Sequence, residues 1–324
     1  MTARHRPLPA RAGFTLIELM IVVALLGIIG AMLTTIMVRQ QRFHRAVTNL
    51  TDSRARMRDI ATIMPTDLRS ISTAGKDLLA ISDTSMQFRA FVGASVMCRF
   101  ASATVVELPP KNMASGNVLT AWINPPAPND IAYLYDDGSQ GGNADDAWAP
   151  FTITDTSSST ASTVCPTTTT PAFTTAADNA SRKYVITLAT APNPARVKVG
   201  APIRIGREVR YSIYQASDNQ WYVGFQRCIP HAIYGLVGSC GTREVLAGPV
   251  LAGTADTLTS GLYFVYYNKS GTRLTSLVNT DTVARVGVGI RTTAESLLRA
   301  STKTGGSMTG ADSLRFTVGF RNRI

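Results

Sequence analysis

Apolar side chains run almost without interruption from Phe14 to Val38, and Glu18 is the only ionisable residue among them. A helix rises about 1.5 Å per residue, so this run would span about 37 Å. That length crosses a hydrocarbon core of about 30 Å with some tilt. The pattern therefore predicts a membrane-spanning helix over about residues 14–38, with a single carboxylate near its start.

The helical pattern continues beyond the predicted span. Apolar residues recur there at steps of three and four, with one interruption at Arg54. They are Phe43, Val47, Leu50, Met57, Ala61 and Met64. Pro65 lacks a backbone donor, so we expect one helix over residues 14–64. A stripe flanked by arginines favours packing against the protein's own globular domain, and a basic patch for phospholipid or nucleic acid is the alternative.

The pattern changes after residue 65 to short alternating runs bounded by turn residues, which is typical of antiparallel strands. Predicted strands cover residues 85–92, 96–108, 184–189, 208–215, 221–228, 262–267, 283–291 and 313–321. Asp218-Asn219 is a predicted hairpin turn, and residues 268–271 offer another turn. The predicted fold class is α+β, with a long N-terminal helix followed by a mostly antiparallel β-rich globular domain over residues 65–324.

An irregular insert is predicted over about residues 124–182. Residues 124–150 are rich in Pro, Gly, Asn and Asp, and residues 152–182 form a Ser/Thr tract. The first stretch holds five candidate oxygen ligands for calcium, which are Asp130, Asp136, Asp137, Asp145 and Asp146. Their spacing matches no EF-hand loop, so a solvated loop is the favoured interpretation and no metal site is predicted.

The position of Glu18 indicates a function. A carboxylate within a span costs about 2.5–3.5 kcal/mol on insertion scales, so a partner is expected. The nearest basic residues, Arg11 and Arg39, lie outside the apolar run. Cleavage after the small residue Gly13 would leave the helix on the mature chain and create an α-amino group on Phe14. That amine could reach Glu18 of the same helix or of a staggered neighbour, and the second arrangement describes a polymer.

The segment Gly-Phe-Thr-Leu-Ile-Glu-Leu at residues 13–19 follows a basic leader. It resembles the cleavage and methylation segment of type IV prepilins and pseudopilins. The resemblance implies that a prepilin peptidase removes residues 1–13, cutting between Gly13 and Phe14, and N-methylates Phe14. It also implies that Glu18 neutralises the N-terminus of a neighbouring subunit during assembly.

The resemblance further implies a location and a set of partners. The chain would be a single-pass protein of the bacterial inner membrane with its large domain outside the cytoplasm, and would later join a pilus or pseudopilus. Its partners would be prepilin peptidase, other pilin or pseudopilin subunits and the inner membrane assembly platform.

The strand-rich half is similar to large minor pilins, including PilW-like proteins and the J-type pseudopilins of type II secretion. The segments that carry this likeness are residues 211–214, 221–223, 262–267, 283–286 and 316–322. The likeness implies a minor subunit at or near the tip of a type IV pilus or type II secretion filament. A surface adhesin or DNA-uptake receptor displayed on a pilus is the alternative.

Four cysteines lie on the extracytoplasmic side in this topology, where an even number favours disulfides. Three pairings are possible. The favoured one joins Cys228 to Cys240, which closes a short loop, and leaves Cys98 with Cys165. A metal site is not expected, because no CxxC spacing is present.

The chain offers few groups for catalysis. Only His44 and His231 remain after removal of the leader, and no nucleophile-elbow, phosphate-loop or zinc-helix motif is present. We therefore predict neither enzymatic activity nor a cofactor.

The charge balance adds a candidate partner. A formal net charge of +11, lowered by three arginines when the leader is removed, favours anionic partners such as DNA or another surface ligand. Four arginines and four aromatic residues have the composition of a nucleic-acid face, although solvated strand faces explain them equally well. They are Arg204, Arg207, Arg210 and Arg227 with Tyr211, Tyr214, Trp221 and Tyr222.

Overall fold

The computed structural model describes residues 15–73, 75–139, 145–168, 171–254, 259–275, 280–292 and 312–320. The chain divides into two units. The first consists of Met1–Asp52 and Ala294–Gly310, and the second of Ser53–Thr293 and Ala311–Ile324. The predicted α+β class is confirmed, because a long apolar N-terminal helix is followed by a mostly antiparallel sheet.

Helix α1 comprises Leu16–Arg69. By length and composition its segment Leu16–Arg45 can cross a membrane, and its apolar side chains are exposed in the isolated chain. The hydroxyls of Thr34 and Thr35 donate to the carbonyls of Gly30 and Ala31 at 2.7 and 2.8 Å. These bonds satisfy the two hydroxyl donors within the helix, as a hydrocarbon environment requires.

The helix does not end at residue 64, as predicted, but at Arg69. Pro65 lies inside it, and the added turn carries Leu68, which is fully buried with Met64. The Thr66 hydroxyl donates to the Thr62 carbonyl at 3.0 Å. Burial of these side chains against the sheet thus offsets the loss of the backbone hydrogen bond that proline cannot donate.

The second unit is built on a sheet in which all described pairings are antiparallel. Its strands are β1 (Leu78–Ile81), β2 (Ser85–Val96), β3 (Arg99–Phe100), β4 (Val105–Leu108), β5 (Ala121–Trp122), β6 (Ile131–Asp136), β7 (Ala147–Ser159), β8 (Lys183–Leu188), β9 (Pro202–Gln215), β10 (Trp221–Ile229), β11 (Ser239–Cys240), β12 (Glu244–Val250), β13 (Leu262–Tyr267), β14 (Arg285–Thr292) and β15 (Asp312–Gly319). The main order is β13-β14-β12-β10-β9-β6-β7-β8-β4-β3. In addition, β2 joins β9, β1 and β5, and β15 joins β14.

Two strands lie in the region predicted as an irregular insert, so that prediction was wrong for residues 131–136 and 147–159. Strand β6 pairs with both β9 and β7, and four of its six residues are buried. The Ser/Thr-rich strand β7 continues the sheet to β8. Both segments are ordered by neighbours that are distant in sequence.

The last turns of α1 and the sheet share one hydrophobic core. On the helix, Met57, Ile60, Met64 and Leu68 are buried at steps of three and four. They belong to one cluster with apolar side chains from β2, β9, β13, β14 and β15. A second cluster lies between β2, β4, β6 and β8 and includes Trp122. The end of the apolar stripe predicted from the sequence, from Met57 to Met64, therefore packs against the protein's own domain, and Leu68 extends it.

Two isoleucines of α1 allow this packing to be tested with one chemical change. Ile60 is fully buried, whereas Ile63 is 46% exposed. We expect Ile60→Val to lower the free energy of unfolding by about 0.5–1.5 kcal/mol, because it removes a buried methylene group. Ile63→Val should change it by less than about 0.5 kcal/mol. Urea unfolding of the full chain in detergent measures both, and equal effects would contradict the packing.

Both disulfides connect parts of the second unit. Cys98 is joined to Cys165, with 5.4 Å between their Cα atoms, across a separation of 67 residues. Cys228 is joined to Cys240 and links β10 to β11. The first bond ties the segment after β7 to the end of β2, and the second closes a short loop.

Candidate functional site

The candidate processing site lies at the start of α1. Gly13 and Phe14 are outside the described residues, so the structure describes the site from Thr15 onward. The backbone N–H and the hydroxyl of Thr15 both donate to Glu18 Oε2 at 3.1 Å. In return, the Glu18 N–H donates to Thr15 Oγ1 at 3.3 Å. This reciprocal pattern is a capping box, which satisfies two donors at the first turn of the helix.

The capping box gives Glu18 a local role that the sequence reasoning missed. The signal was present, since Thr15-Leu-Ile-Glu18 has the Thr-x-x-Glu spacing of such a cap before an apolar run. The cap explains why a glutamate stands at this position, but it brings no positive charge to the carboxylate. Within the described part of the chain, Thr15 supplies the hydrogen bonds to Glu18 and no ion pair joins Glu18 to a basic side chain.

The surroundings of Glu18 are apolar and exposed. Leu16, Ile17 and Leu19 are 79%, 67% and 60% exposed, and the remaining large apolar residues of the segment up to Val38 are also exposed. In the isolated chain, this helix therefore presents a charged carboxylate within an apolar surface that needs lipid or other helices around it.

A comparison with protein-family models finds the prokaryotic N-terminal methylation motif at residues 8–34. This match supports the prepilin and pilin family. It contains Gly13, Phe14 and Glu18, and it stops well before the globular unit. No curated protein and no solved structure matches the chain significantly.

The motif supports a type IV pilin-like or pseudopilin subunit, a structural component rather than an enzyme. It implies processing by prepilin peptidase and assembly with other pilins. With the apolar helix, it fits membrane anchoring of a soluble domain.

The aspartates considered as calcium ligands are engaged by other side chains. Asp130 accepts two bonds of 2.7 Å from Arg207, and Asp136 accepts one of 2.8 Å from Arg196. Asp137 is bonded to Lys198 at 2.5 Å, and Asp146 accepts a bond from the Tyr135 hydroxyl. Asp145 accepts a bond of 2.6 Å from the Ser139 N–H. These contacts explain the acidic residues as parts of ion pairs and turns.

The predicted nucleic-acid face is also largely engaged within the protein. Arg204 contacts Asp77 at 2.7 Å, Arg207 contacts Asp130, and Arg227 lies 3.8 Å from Asp130. Two carboxylates, Asp77 and Asp130, thus lie within ion-pair distance of three of the four arginines that the sequence singled out. Arg204 and Arg207 are engaged within the protein, whereas Arg227 is half exposed.

Of the four aromatic residues of that face, Tyr211 is buried, whereas Tyr214, Trp221 and Tyr222 are partly exposed. Tyr211 is fully buried and its hydroxyl donates to Asp67 Oδ2 at 2.6 Å. Burial raises the pKa of Asp67, and burial together with the Asp67 carboxylate holds the pKa of Tyr211 well above its usual range. This pair belongs to the contact between α1 and β9 and is not available to a ligand.

Two further groups have structural explanations. His231 Nδ1 accepts a bond of 3.0 Å from the Ile233 N–H and so shapes the loop closed by Cys228–Cys240. Cys98, Cys165 and Glu107 lie within ligand distance of one another, but the two sulfurs are bonded together and Glu107 is paired with Arg99. The described residues around both disulfides therefore form structural contacts.

Proposed function

We propose that the chain is a minor type IV pilin or pseudopilin whose prepilin peptidase cleavage, between Gly13 and Phe14, creates the partner of Glu18. The new α-amino group on Phe14 carries the positive charge that the apolar segment lacks. Between staggered helices, this amine pairs with Glu18 of a neighbouring subunit. The helix then serves first as an inner-membrane anchor and later as the core contact of a filament.

The observation that carries the proposal is the state of Glu18. It lies in an exposed apolar helix, within the matched motif, and its described hydrogen bonds come from Thr15. A cation beside this carboxylate in the membrane or filament core would lower the cost of burying it. The amine formed by cleavage is that cation.

The proposed position in the filament is at or near the tip, as in PilW-like or J-type minor subunits. The resemblance of the strand segments supports this position. The size of the second unit, called the β unit from here on, also supports it, because that unit holds two hydrophobic clusters and two disulfides. In the same proposal, the β unit lies outside the cytoplasm, where disulfides persist.

Mass spectrometry of the N-terminus tests the processing step. When the chain is expressed with a prepilin peptidase, we expect the mature protein to begin at Phe14 and to carry one N-methyl group. Gly13→Val should leave the leader attached, because a branched side chain replaces the small residue at the cut.

Gly27→Ala is the matched control, because Gly27 lies in the same helix with open space around its Cα. It should be processed like the unaltered chain. An unaltered chain that retains Met1 beside an active peptidase would contradict the proposal.

A further inference from the structure

The end of the sheet formed by β13, β14 and β15 has two chemically different faces. The face toward the core carries apolar residues such as Phe264, Val286 and Val318. The opposite face follows the alternate positions. Its cross-strand rows are Tyr263–Gly289–Arg315, Val265–Gly287–Thr317 and Tyr267–Arg285–Gly319. The alternation of each strand thus places arginine and tyrosine together on the outside.

Two glycines in the middle strand make room on this outer face for the rings of neighbouring tyrosines. Gly287 and Gly289 have no side chain to cover the backbone, and the Tyr263 ring lies across Gly289, where a Cβ atom would come within 2.0 Å of it. The resulting cavity has a volume of about 250 Å³. We call it the arginine cup, and its lining residues with polar side-chain atoms are Tyr263, Tyr267, Arg273, Arg291, Arg315 and Thr317.

The arginines are held in place by aromatic rings. The guanidinium carbons of Arg291 and Arg315 lie 4.8 and 5.9 Å from the centre of the Tyr263 ring. At the margin of the cup, Arg285 lies 5.2 Å from the centre of the Tyr267 ring. Arg291 is buried and donates to the Ser260 carbonyl at 3.1 Å, so it is a fixed part of the cup's wall. A guanidinium stacked on a ring keeps its N–H edge available to donate, so the ring contacts orient Arg285 and Arg315 without neutralising them.

Three arginines in and beside the cup have no carboxylate partner among the described residues. No lining residue is acidic, and Arg273, Arg285 and Arg315 make no ion pair with a described carboxylate. Arg204 and Arg207 on the neighbouring face, in contrast, contact Asp77 and Asp130. Like charges held close together repel one another, and an anion between them removes that repulsion.

We propose that the arginine cup binds a phosphate group. A guanidinium presents two parallel donors that match a pair of anion oxygens, and a tetrahedral anion offers enough oxygens for several arginines at once. The Thr317 hydroxyl adds a neutral donor to the lining. The group is either free phosphate or one unit of a phosphodiester chain, since both present the same anionic oxygens. This inference does not depend on the proposed role of Glu18.

Binding to the full chain in detergent at low ionic strength tests the proposal. Inorganic phosphate is measured by calorimetry, and fluorescein-labelled oligothymidine by fluorescence anisotropy. The double variant Arg273→Ala with Arg315→Ala should bind the ligand at least about tenfold more weakly, a loss of about 1.4 kcal/mol. Both side chains are exposed, so thermal unfolding should be unchanged.

Arg243→Ala is the matched control. Arg243 also lies over a tyrosine, 5.2 Å from the Tyr214 ring centre, but outside the cup. It should change affinity by less than about twofold. Arg315→Lys, which keeps the charge and loses the paired donors, should fall between the unaltered chain and the double variant.

The two ligands separate the sources of the phosphate group. If oligothymidine binds, the slope of log affinity against log salt should fall in magnitude by about 0.7 for each arginine removed, and the cup takes a phosphodiester chain. If only inorganic phosphate binds, and the variants weaken its binding as described above, the cup takes the free anion. Failure of both ligands to bind the unaltered chain, or an equal loss in Arg243→Ala, would overturn the proposal.

Discussion

Glu18→Gln is expected to reduce incorporation of this chain into filaments to about one hundredth while leaving membrane insertion and leader cleavage intact. Glutamine also serves as the third residue of a capping box, so the bonds from Thr15 can remain. What is lost is the negative charge opposite the Phe14 amine. An unpaired cation within a span costs about 2.5–3.5 kcal/mol on insertion scales, which corresponds to about a hundredfold in association. Immunoblots of sheared filaments and of membranes measure the two steps separately.

Thr15→Val is the control that separates charge from capping. It removes the hydroxyl that donates to Glu18 and accepts from the Glu18 N–H, at a cost of about 1 kcal/mol, but it keeps the carboxylate. Filaments containing Thr15→Val should therefore form. If Thr15→Val were as defective as Glu18→Gln, the cap and not the charge would explain the role of Glu18. If Glu18→Gln assembled normally, the proposed pairing would be wrong.

Asp77→Ala should lower the free energy of unfolding by about 3 kcal/mol, because it breaks a buried ion pair. The Asp77 carboxylate is buried and accepts bonds of 2.9 Å from the Ser72 N–H and 2.7 Å from Arg204. Burial raises its pKa in spite of the opposing effect of Arg204. Forming the pair therefore carries a desolvation cost, yet removing one partner leaves Arg204 and the buried Arg89 without their nearby carboxylate.

Asp137→Ala is the matched control for this change. Asp137 also forms an ion pair, with Lys198, but the two side chains are 49% and 63% exposed. Water screens that pair, so its loss should cost no more than about 1 kcal/mol. Chemical unfolding of the two variants beside the unaltered chain gives the comparison. Similar losses from both variants would show that burial does not govern the contribution of Asp77.

The parts of the fold that follow local pattern could be predicted from the sequence. Strand β13 has the predicted bounds, Leu262–Tyr267, because aromatic and β-branched residues are bounded there by turn residues. The turn at Asp218-Asn219 joins β9 to β10, with Gln215 opposite Trp221. Strand β6 was missed because its short apolar run lies among Pro, Asn and Asp, and its place between β9 and β7 depends on distant partners.

The functional features divide in the same way. The start of the first helix could be interpreted from neighbouring residues, since an apolar run with one carboxylate is a local pattern. The charged faces could not be predicted, because composition does not say which arginine forms an ion pair with which carboxylate. Arg207 and Asp130 are 77 positions apart, and Arg204 and Asp77 are 127 apart. Only folding places these pairs together, and only folding leaves Arg273 and Arg315 without such a partner among the described residues.

The large hydrophobic core also has a consequence for the order of events in the cell. Met57, near the start of the second unit, and Phe320, near its end, belong to this one cluster. The last described strand, β15, pairs with β14. Contacts this distant along the chain slow folding, because a long loop must close before they form. The apolar N-terminal segment leaves the ribosome long before that closure. Membrane insertion should therefore precede completion of the sheet, so that the domain finishes folding while tethered to the bilayer surface.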